Sequence, residues 1–475
     1  MSSRQAFFIM KKYKLNTNYK TILADTISPV SVYLKIRDRF PNSILLESSD
    51  YHGNDNSFSY ICFNPIANFI VKDNQIIKNY PDLSNEKYIT NSKNIASEID
   101  EFIKEFVTDD LSSFNFISNG LFGYTTYDAV KYFENIEISK KHSNLNIPEI
   151  YYSIYQNIIA IDHFKNKAYI FSHCYKADSN IEEIHQLIIM NRYGMYNFNT
   201  TNSIESNLSD NKFKLLVNSA KKHCQRGDVF QLVFSRKFRQ KFKGDEFNVY
   251  RSLRSINPSP YLFYFDYGSF KIFGSSPEAQ LVINNQIAEI HPIAGTFPRT
   301  GNDMKDTLMA KRLIKDEKEN SEHVMLVDLA RNDLSRHCKD VKVENYKEIQ
   351  FFSHVIHLVS KVTGKVRNNT SSSQIVADTF PAGTLTGAPK YKAMELIEKY
   401  EKTNREYYGG AIGFIDFKGN YNHAIMIRTF LSKNQILHWQ AGAGIVSKSN
   451  AEKENQEVYN KLSALTKAIQ MAEKI

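Results

Sequence analysis

Glu319 and Glu322 stand three residues apart in the stretch Asp316–Asp333. In a helix that spacing puts both carboxylates on one face, close enough to share a cation. Downstream, Val324, Met325, Leu326, Val327, Leu329 and Ala330 read as a buried helical half. Carboxylates growing out of a buried segment need a partner, because burying an unpaired charge is strongly unfavourable. A lone pair of this kind also fits an ordinary amphipathic surface helix. A second pair changes the balance: Glu454, Glu457 and Lys461 recur at i, i+3 and i+7 near the C-terminus. Two helices that each offer two carboxylates suit a hard cation such as Mg2+, which takes oxygen ligands and keeps some waters.

Other residues fit small-molecule anion chemistry. Three glycine-bearing loops, Pro292–Thr296, Phe380–Lys390 and Ala441–Gly444, follow strands or lead into a helix. Glycine lets backbone amides approach a ligand, and Pro389 suits a first helical turn, where free N–H groups attract anions. Each loop read alone is also a plain tight turn. No phosphate-binding fingerprint of the G-x-G-x-x-G or G-x-x-x-x-G-K-[ST] type occurs. Arg428 lies in the apolar run Ala424–Thr429, where arginine needs a carboxylate of the chain or an anionic ligand. His357, in Val355–Ser360, reads as a core histidine or a catalyst, and Glu278, closing Gly274–Glu278, as a turn residue or an acid. Together these parts fit a Mg2+-dependent enzyme acting on a small polyanion, without naming the reaction.

The elements that must position these residues fall into two textures. Up to about residue 175, short runs rich in branched and aromatic residues, such as Ser43–Ser48, Asn68–Val71 and Gln156–Ile161, predict buried strands. Helices are predicted at 94–107 and 180–191, and the polar stretch 196–212 reads as a linker. Beyond it come a helix at 213–225 and a strand through Gln231–Arg236. Strands follow at 261–266, 270–274 and 279–283, then helical structure over 304–334. A strand near 354–363, a helix at 388–402, strands at 410–416, 421–431 and 436–440, and a helix at 450–473 complete the chain. Strands and helices in blocks imply an α+β fold in layers, divided into an N-terminal lobe, 1–205, and a catalytic region, 206–475.

The 475 residues carry 60 Lys and Arg against 51 Asp and Glu, a net charge of +9. The basic residues are scattered, which speaks against a nucleic-acid partner. Cys62, Cys174, Cys224 and Cys338 form no C-x-x-C pair, which fits a reducing cytoplasm. The run Phe7–Met10 is too short for a signal sequence, and nothing approaches a membrane span.

At the motif level the chain resembles the chorismate-utilising enzymes, and among them anthranilate synthase component I. The resemblance spans nearly the whole chain and is densest from Phe213 to Lys461. It rests on Gly227–Arg236, Asn257–Tyr261, Gly274–Glu278, Pro292–Thr296, Asp316–Asp333, Ser353–Ser360, Phe380–Lys390, Tyr408–Gly413 and Ala441–Val446. It implies a layered α/β/β/α sandwich with large mixed or antiparallel sheets. It also implies a Mg2+-dependent lyase activity that turns chorismate and ammonia into anthranilate and pyruvate for tryptophan biosynthesis.

By the same resemblance Glu322 and Glu457 would ligate Mg2+, with Glu319 and Glu454 beside them. Glu278 would be the general acid on the departing C4 hydroxyl, and His357 would assist elimination. Arg428, Tyr408 and the Gly442, Ala443 and Gly444 amides would hold the enolpyruvyl carboxylate. Gly295, Thr296 and Thr384 would face the ring, with Lys461 also on the substrate. Water-using relatives place a lysine base where this chain has Gln231, so ammonia is the implied nucleophile; aminodeoxychorismate synthases carry lysine where it has Ala294, and both departures imply anthranilate synthase. No cysteine sits in a Gly-x-Cys-x-Gly context, which implies a separate glutamine amidotransferase subunit. Leu45–Ser48 together with Pro260, Tyr261 and Leu262 resembles the family's tryptophan-inhibition element, with Ser48 as its polar contact. The alternatives are aminodeoxychorismate synthase component I and a catalytically inactive subunit that binds chorismate or tryptophan.

Overall fold

The computed structural model describes residues 12–48, 57–90, 94–111, 113–141, 145–190, 192–351 and 355–475, with Thr296, Pro298 and Lys318 described by backbone alone. The run Phe7–Met10, the polar stretch after Ser48 and the pair Ser353–His354 lie outside the described residues.

Two long strands, Phe58–Lys72 and Ile150–Asp162, pair along their whole length and belong to two sheets at once. At the Pro65/Ala67 bulge the pair passes from one sheet to the other, the usual device for bending a strand around a corner. The first half of Phe58–Lys72 pairs with Ile44–Glu47. That strand leads through Tyr261–Asp266, Lys271–Ser276, Thr429–Lys433 and Ile436–Ile445 to Gln231–Gly244. The other half of Ile150–Asp162 pairs with Gly120–Thr125. From there the second sheet runs through Ala411–Asp416, Tyr421–Ile425, Ala279–Asn284 and Ile287–Ile290 to Val355–Val366. Among the described residues every pairing is antiparallel except that of Tyr13–Leu15 with Phe106–Thr108.

The two sheets face each other across Phe122, Tyr155, Phe263, Phe265, Ile412 and Leu431. Helices Pro29–Arg37, Asp210–Arg226, Phe247–Ile256 and Ala451–Ala472 cover the outer face of the first sheet. Helices Ile95–Lys104, Glu317–Ser335 and Ser372–Thr379 cover the outer face of the second. The result is the α/β/β/α sandwich expected. Strands buried on both faces explain runs such as Ile158-Ile159-Ala160-Ile161: Ile158 and Ala160 point between the sheets, Ile159 and Ile161 toward the helices.

Several elements differ from the sequence reading. The stretch 196–212 is not an open linker. Phe198–Thr200 and Glu205–Ser206 pair with the edge strand Gln231–Gly244, and Asp210 already begins a helix capped by Ser209. In both sheets a strand from before residue 205 pairs directly with one from after it, Ile44–Glu47 with Tyr261–Asp266 and Gly120–Thr125 with Ala411–Asp416. The run 421–431 is two strands, broken where Arg428 takes φ = 49°. The helix Glu317–Ser335 is amphipathic: Leu326, Val327 and Ala330 are buried, whereas Val324 is exposed. Helices Pro29–Arg37 and Phe247–Ile256 carry no expectation from the sequence.

Candidate active site

A cavity of about 350 Å³ opens where the strands Gln231–Gly244 and Ile436–Ile445 meet the turn at Glu278, the strand Ile293–Pro298 and helices Glu317–Ser335 and Ala451–Ala472. It gathers most of the residues singled out from sequence. Gln231, Glu278, Gly295, Glu319, Glu322, His357, Thr384, Tyr408, Arg428, Gly442, Gly444, Glu454, Glu457 and Lys461 all line it. Ala443 does not. Strand alternation turns it to the opposite face, into the core beneath the outer helices. Thr296 follows Gly295 and pairs in register with His357, and its side chain is outside the description. In the Phe380–Lys390 loop it is Thr384 and Leu385 that reach the cavity, while Pro389 caps the helix Lys390–Tyr400 outside its lining.

Both glutamate pairs sit in the first two turns of their helices, where the positive end of the helix dipole favours carboxylates. Asp316 caps the first helix by accepting from the Glu319 amide at 3.0 Å. Asn450 caps the second by accepting from the Glu452 and Lys453 amides at 3.0 and 3.1 Å. Among the described residues no three His, Cys, Asp or Glu side chains stand close enough to enclose a metal. The carboxylates form pairs on separate walls, all hard oxygen donors. Such an open set fits an ion that draws its remaining ligands from water and substrate.

Glu278 accepts from Thr384 Oγ1 at 3.1 Å. Burial pushes its carboxyl pKa up to about 8, and Thr384, Lys461 and Arg428 only partly offset that. The surface it keeps lines the cavity, so near neutral pH Glu278 is a carboxylic acid poised to donate. His357 is its complement: burial lowers its pKa to about 4, leaving the ring neutral. The carbonyl of Gly295 accepts from His357 Nδ1 at 2.9 Å, so Nδ1 carries the hydrogen and Nε2 is the basic nitrogen.

Arg428 bonds the neutral amide of Asn257 at 3.2 Å, and among the described residues no carboxylate forms an ion pair with it. Burial weighs against its charge, and the opposing field comes from Glu278 only when that carboxyl is ionised. The carboxylate partner open in the sequence reading is therefore absent, and the cation faces the cavity. Lys461 Nζ pairs with Glu457 at 3.3 Å and donates to the Gly442 carbonyl at 3.1 Å. A side chain at Gly442 would press on the Phe234 carbonyl at 2.7 Å and the Tyr408 hydroxyl at 3.1 Å. Glycine there lets Tyr408 close over the strand.

Ser48 and the segment Pro260–Leu262 are also brought together, because Leu262 pairs with Glu47. None of the four lines the cavity. The Glu47 carboxylate accepts from the Tyr250 hydroxyl at 2.6 Å and from Arg254 Nε at 2.9 Å, fastening this strand end to the helix Phe247–Ile256. Gln440 and Lys453 line the cavity unforeseen. Period-two alternation from Gly442 would have found Gln440.

The two-sheet sandwich is shared with solved structures, and over residues 42–467 the chain belongs to the chorismate binding enzyme family. Its relatives include anthranilate synthase component 1 of Aquifex aeolicus, 36% identical over 98% of this chain and 97% of that protein. The protein of the same name from Acetivibrio thermocellus is 35% identical over 98% and 97%. Among solved structures, anthranilate synthase component I from Streptococcus pneumoniae superposes with a TM-score of 0.77 at 29% identity, over 94% of this chain and all of that one. The menaquinone-specific isochorismate synthase MenF of Escherichia coli has a TM-score of 0.72 over 96% and 95%, and at 16% identity it speaks for the fold alone.

Proposed function

We propose that this chain is the synthase component of an anthranilate synthase, converting chorismate and ammonia to anthranilate and pyruvate in tryptophan biosynthesis. The observation that carries the reading is the pairing, in one cavity, of an uncharged Glu278 with an Arg428 that, among the described residues, forms no ion pair with a carboxylate. The near-full-length likeness to proteins named anthranilate synthase component 1 supports the choice of substrate and product.

Arg428 and Lys461, with Tyr408 and the Gly442 and Gly444 amides, hold the substrate's carboxylates and orient its ring. Glu278 gives its proton to the C4 hydroxyl as that C–O bond breaks and water departs, while ammonia forms the new C–N bond at C2. Neutral Gln231 cannot take a proton from water, so the wall it occupies favours ammonia, which needs no base to attack. In the second step His357 Nε2 takes the hydrogen at C2, the bond to the enolpyruvyl oxygen breaks, and pyruvate leaves an aromatic ring. Ala294 puts a methyl group, with no amine, where aminodeoxychorismate synthases carry lysine, which argues against that alternative. Glu322 and Glu457, flanked by Glu319 and Glu454, are proposed to hold Mg2+, which when bound supplies charge neutralisation at the ring carboxylate.

Three further readings accompany this one: a glutamine amidotransferase subunit as the ammonia source, tryptophan as an inhibitor acting near Ser48, and a cytoplasmic setting. The test is product analysis of the purified chain with chorismate, Mg2+ and ammonium. Anthranilate fluorescence that depends on ammonium is expected. No aromatic amine product overturns the reading, and equal turnover on glutamine without a partner overturns the two-subunit part.

A further inference from the structure

Gln440 lies on the strand Ile436–Ile445, on the same face as Gly442 and Gly444, and lines the cavity. It is 4% exposed. Its amide is held by a chain of buried groups. Arg405 grips Glu401 through Nε at 2.9 Å and Nη2 at 2.8 Å, and gives two further N–H groups to the Leu385 and Val233 carbonyls. Glu401 Oε1 accepts from both the amide and the hydroxyl of Ser235, each at 2.8 Å. Ser235 Oγ then meets the Gln440 amide nitrogen at 2.6 Å.

The direction of these bonds is set by proton count. Ser235 has one hydroxyl hydrogen, and the Arg405-bound carboxylate can only accept it. Toward Gln440 the serine therefore offers lone pairs alone, and Gln440 must present its NH2 group. The amide cannot turn over without losing that bond. Among the described residues no donor reaches its buried oxygen Oε1. Gln231 Oε1 also lacks a donor among the described residues, but there no bond of this kind ties its amide, so it can reverse. A buried acceptor with no partner is uncommon in folded proteins, because its lost hydration goes uncompensated.

We infer that Gln440 is a ligand-binding residue: its fixed Oε1 accepts a hydrogen bond from an O–H or N–H group of the molecule in the cavity. Ser235, Glu401 and Arg405 are positioning residues that act through it. The inference rests on the proposed reading of the cavity, where two reactants carry such donors: chorismate through its hydroxyl and ammonia through its N–H bonds.

The test compares Gln440→Met, which keeps length and removes the acceptor, with Gln440→Glu, which as a buried neutral acid keeps an acceptor oxygen and gives its O–H to Ser235 Oγ. Each KM is measured with the other reactant saturating. Gln440→Met raises one KM by about tenfold, the consequence of a lost hydrogen bond to substrate, and Gln440→Glu recovers most of it. A rise for ammonium identifies the nucleophile as the donor, and a rise for chorismate identifies the hydroxyl. If Gln440→Met does not fold, Ser235→Ala, which releases the amide, raises the same KM by a smaller factor. Both KM values within about twofold of wild type, or a loss confined to kcat, overturns the inference. Wild-type chain that makes no anthranilate from ammonium refutes the reading of the cavity instead.

Discussion

Glu278 and His357 are driven in opposite senses by the same cause. Burial disfavours whichever form is charged, so it raises the carboxyl to about 8 and lowers the imidazole to about 4. Near neutral pH the site holds one acid and one base, both uncharged. Anthranilate formation should fall as pH rises through about 8, as Glu278 loses the proton it donates, and a pH–rate profile measures this. Glu278→Gln should cost about 10²–10⁴-fold in kcat. The same substitution has a stability signature of defined sign. Between the ordinary carboxyl range and about 8 the folded chain keeps a proton that the unfolded chain releases, so wild-type stability declines as pH rises through that window. Glu278→Gln removes the decline, and its melting temperature should exceed that of wild type by more at pH 9 than at pH 6. His357→Ala should slow elimination more than amination, so that the aminated intermediate accumulates. Chromatography showing equal loss of both steps would return His357 to a packing role.

Helices do more here than fill the outer layers. Glu317–Ser335 and Ala451–Ala472 each begin at the cavity rim, and each starts with a capping side chain that satisfies early amides. Glu322→Gln or Glu457→Gln should abolish activity at limiting Mg2+ while the circular dichroism spectrum stays that of wild type. Near-normal turnover in either variant would sink the metal assignment. Breaking the Arg405–Glu401 pair acts on the fold as well. Arg405→Met leaves the Glu401 carboxylate buried beside Ser235 without its cation, and should cost about 3–5 kcal/mol in chemical denaturation.

At the scale of the whole molecule, the sandwich ties early and late parts of the sequence into common sheets. A proteolytic cut near residue 205 should not yield two separable folded halves, because Ile44–Glu47 and Gly120–Thr125 would each lose a hydrogen-bonded neighbour. Size exclusion of nicked protein checks this, and a stable, soluble 1–205 fragment would contradict it. The same pairing sets Glu47, the residue before Ser48, opposite Leu262, on a strand end fastened to a helix by Glu47 and Arg254. A ligand there inhibits only by preferring one arrangement of these elements over another. Calorimetry of tryptophan binding to wild type and to Ser48→Phe locates the pocket: unchanged heat in the variant moves it elsewhere.

Local pattern alone determined the carboxylate pairs, the glycine loops and most strands and helices, because their periodicities and residue types are short-range properties. The motif order was enough to place the chain among chorismate-utilising enzymes. Other features depended on the tertiary structure. The Arg428 run reads as continuous strand, and only the folded chain breaks it with a left-handed residue and leaves the guanidinium, among the described residues, without a carboxylate ion pair. The stretch 196–212 is polar enough for a linker, yet an edge strand was available to pair with it. Ala443 sits between two glycines that line the cavity and faces away from it, since alternation along a strand separates neighbours that sequence places together. The buried, unpartnered amide oxygen of Gln440 has no local signature at all. It follows from a bond chain joining residues 235, 401, 405 and 440, and hydrogen-bond partners so far apart in sequence are chosen only when the sheets close.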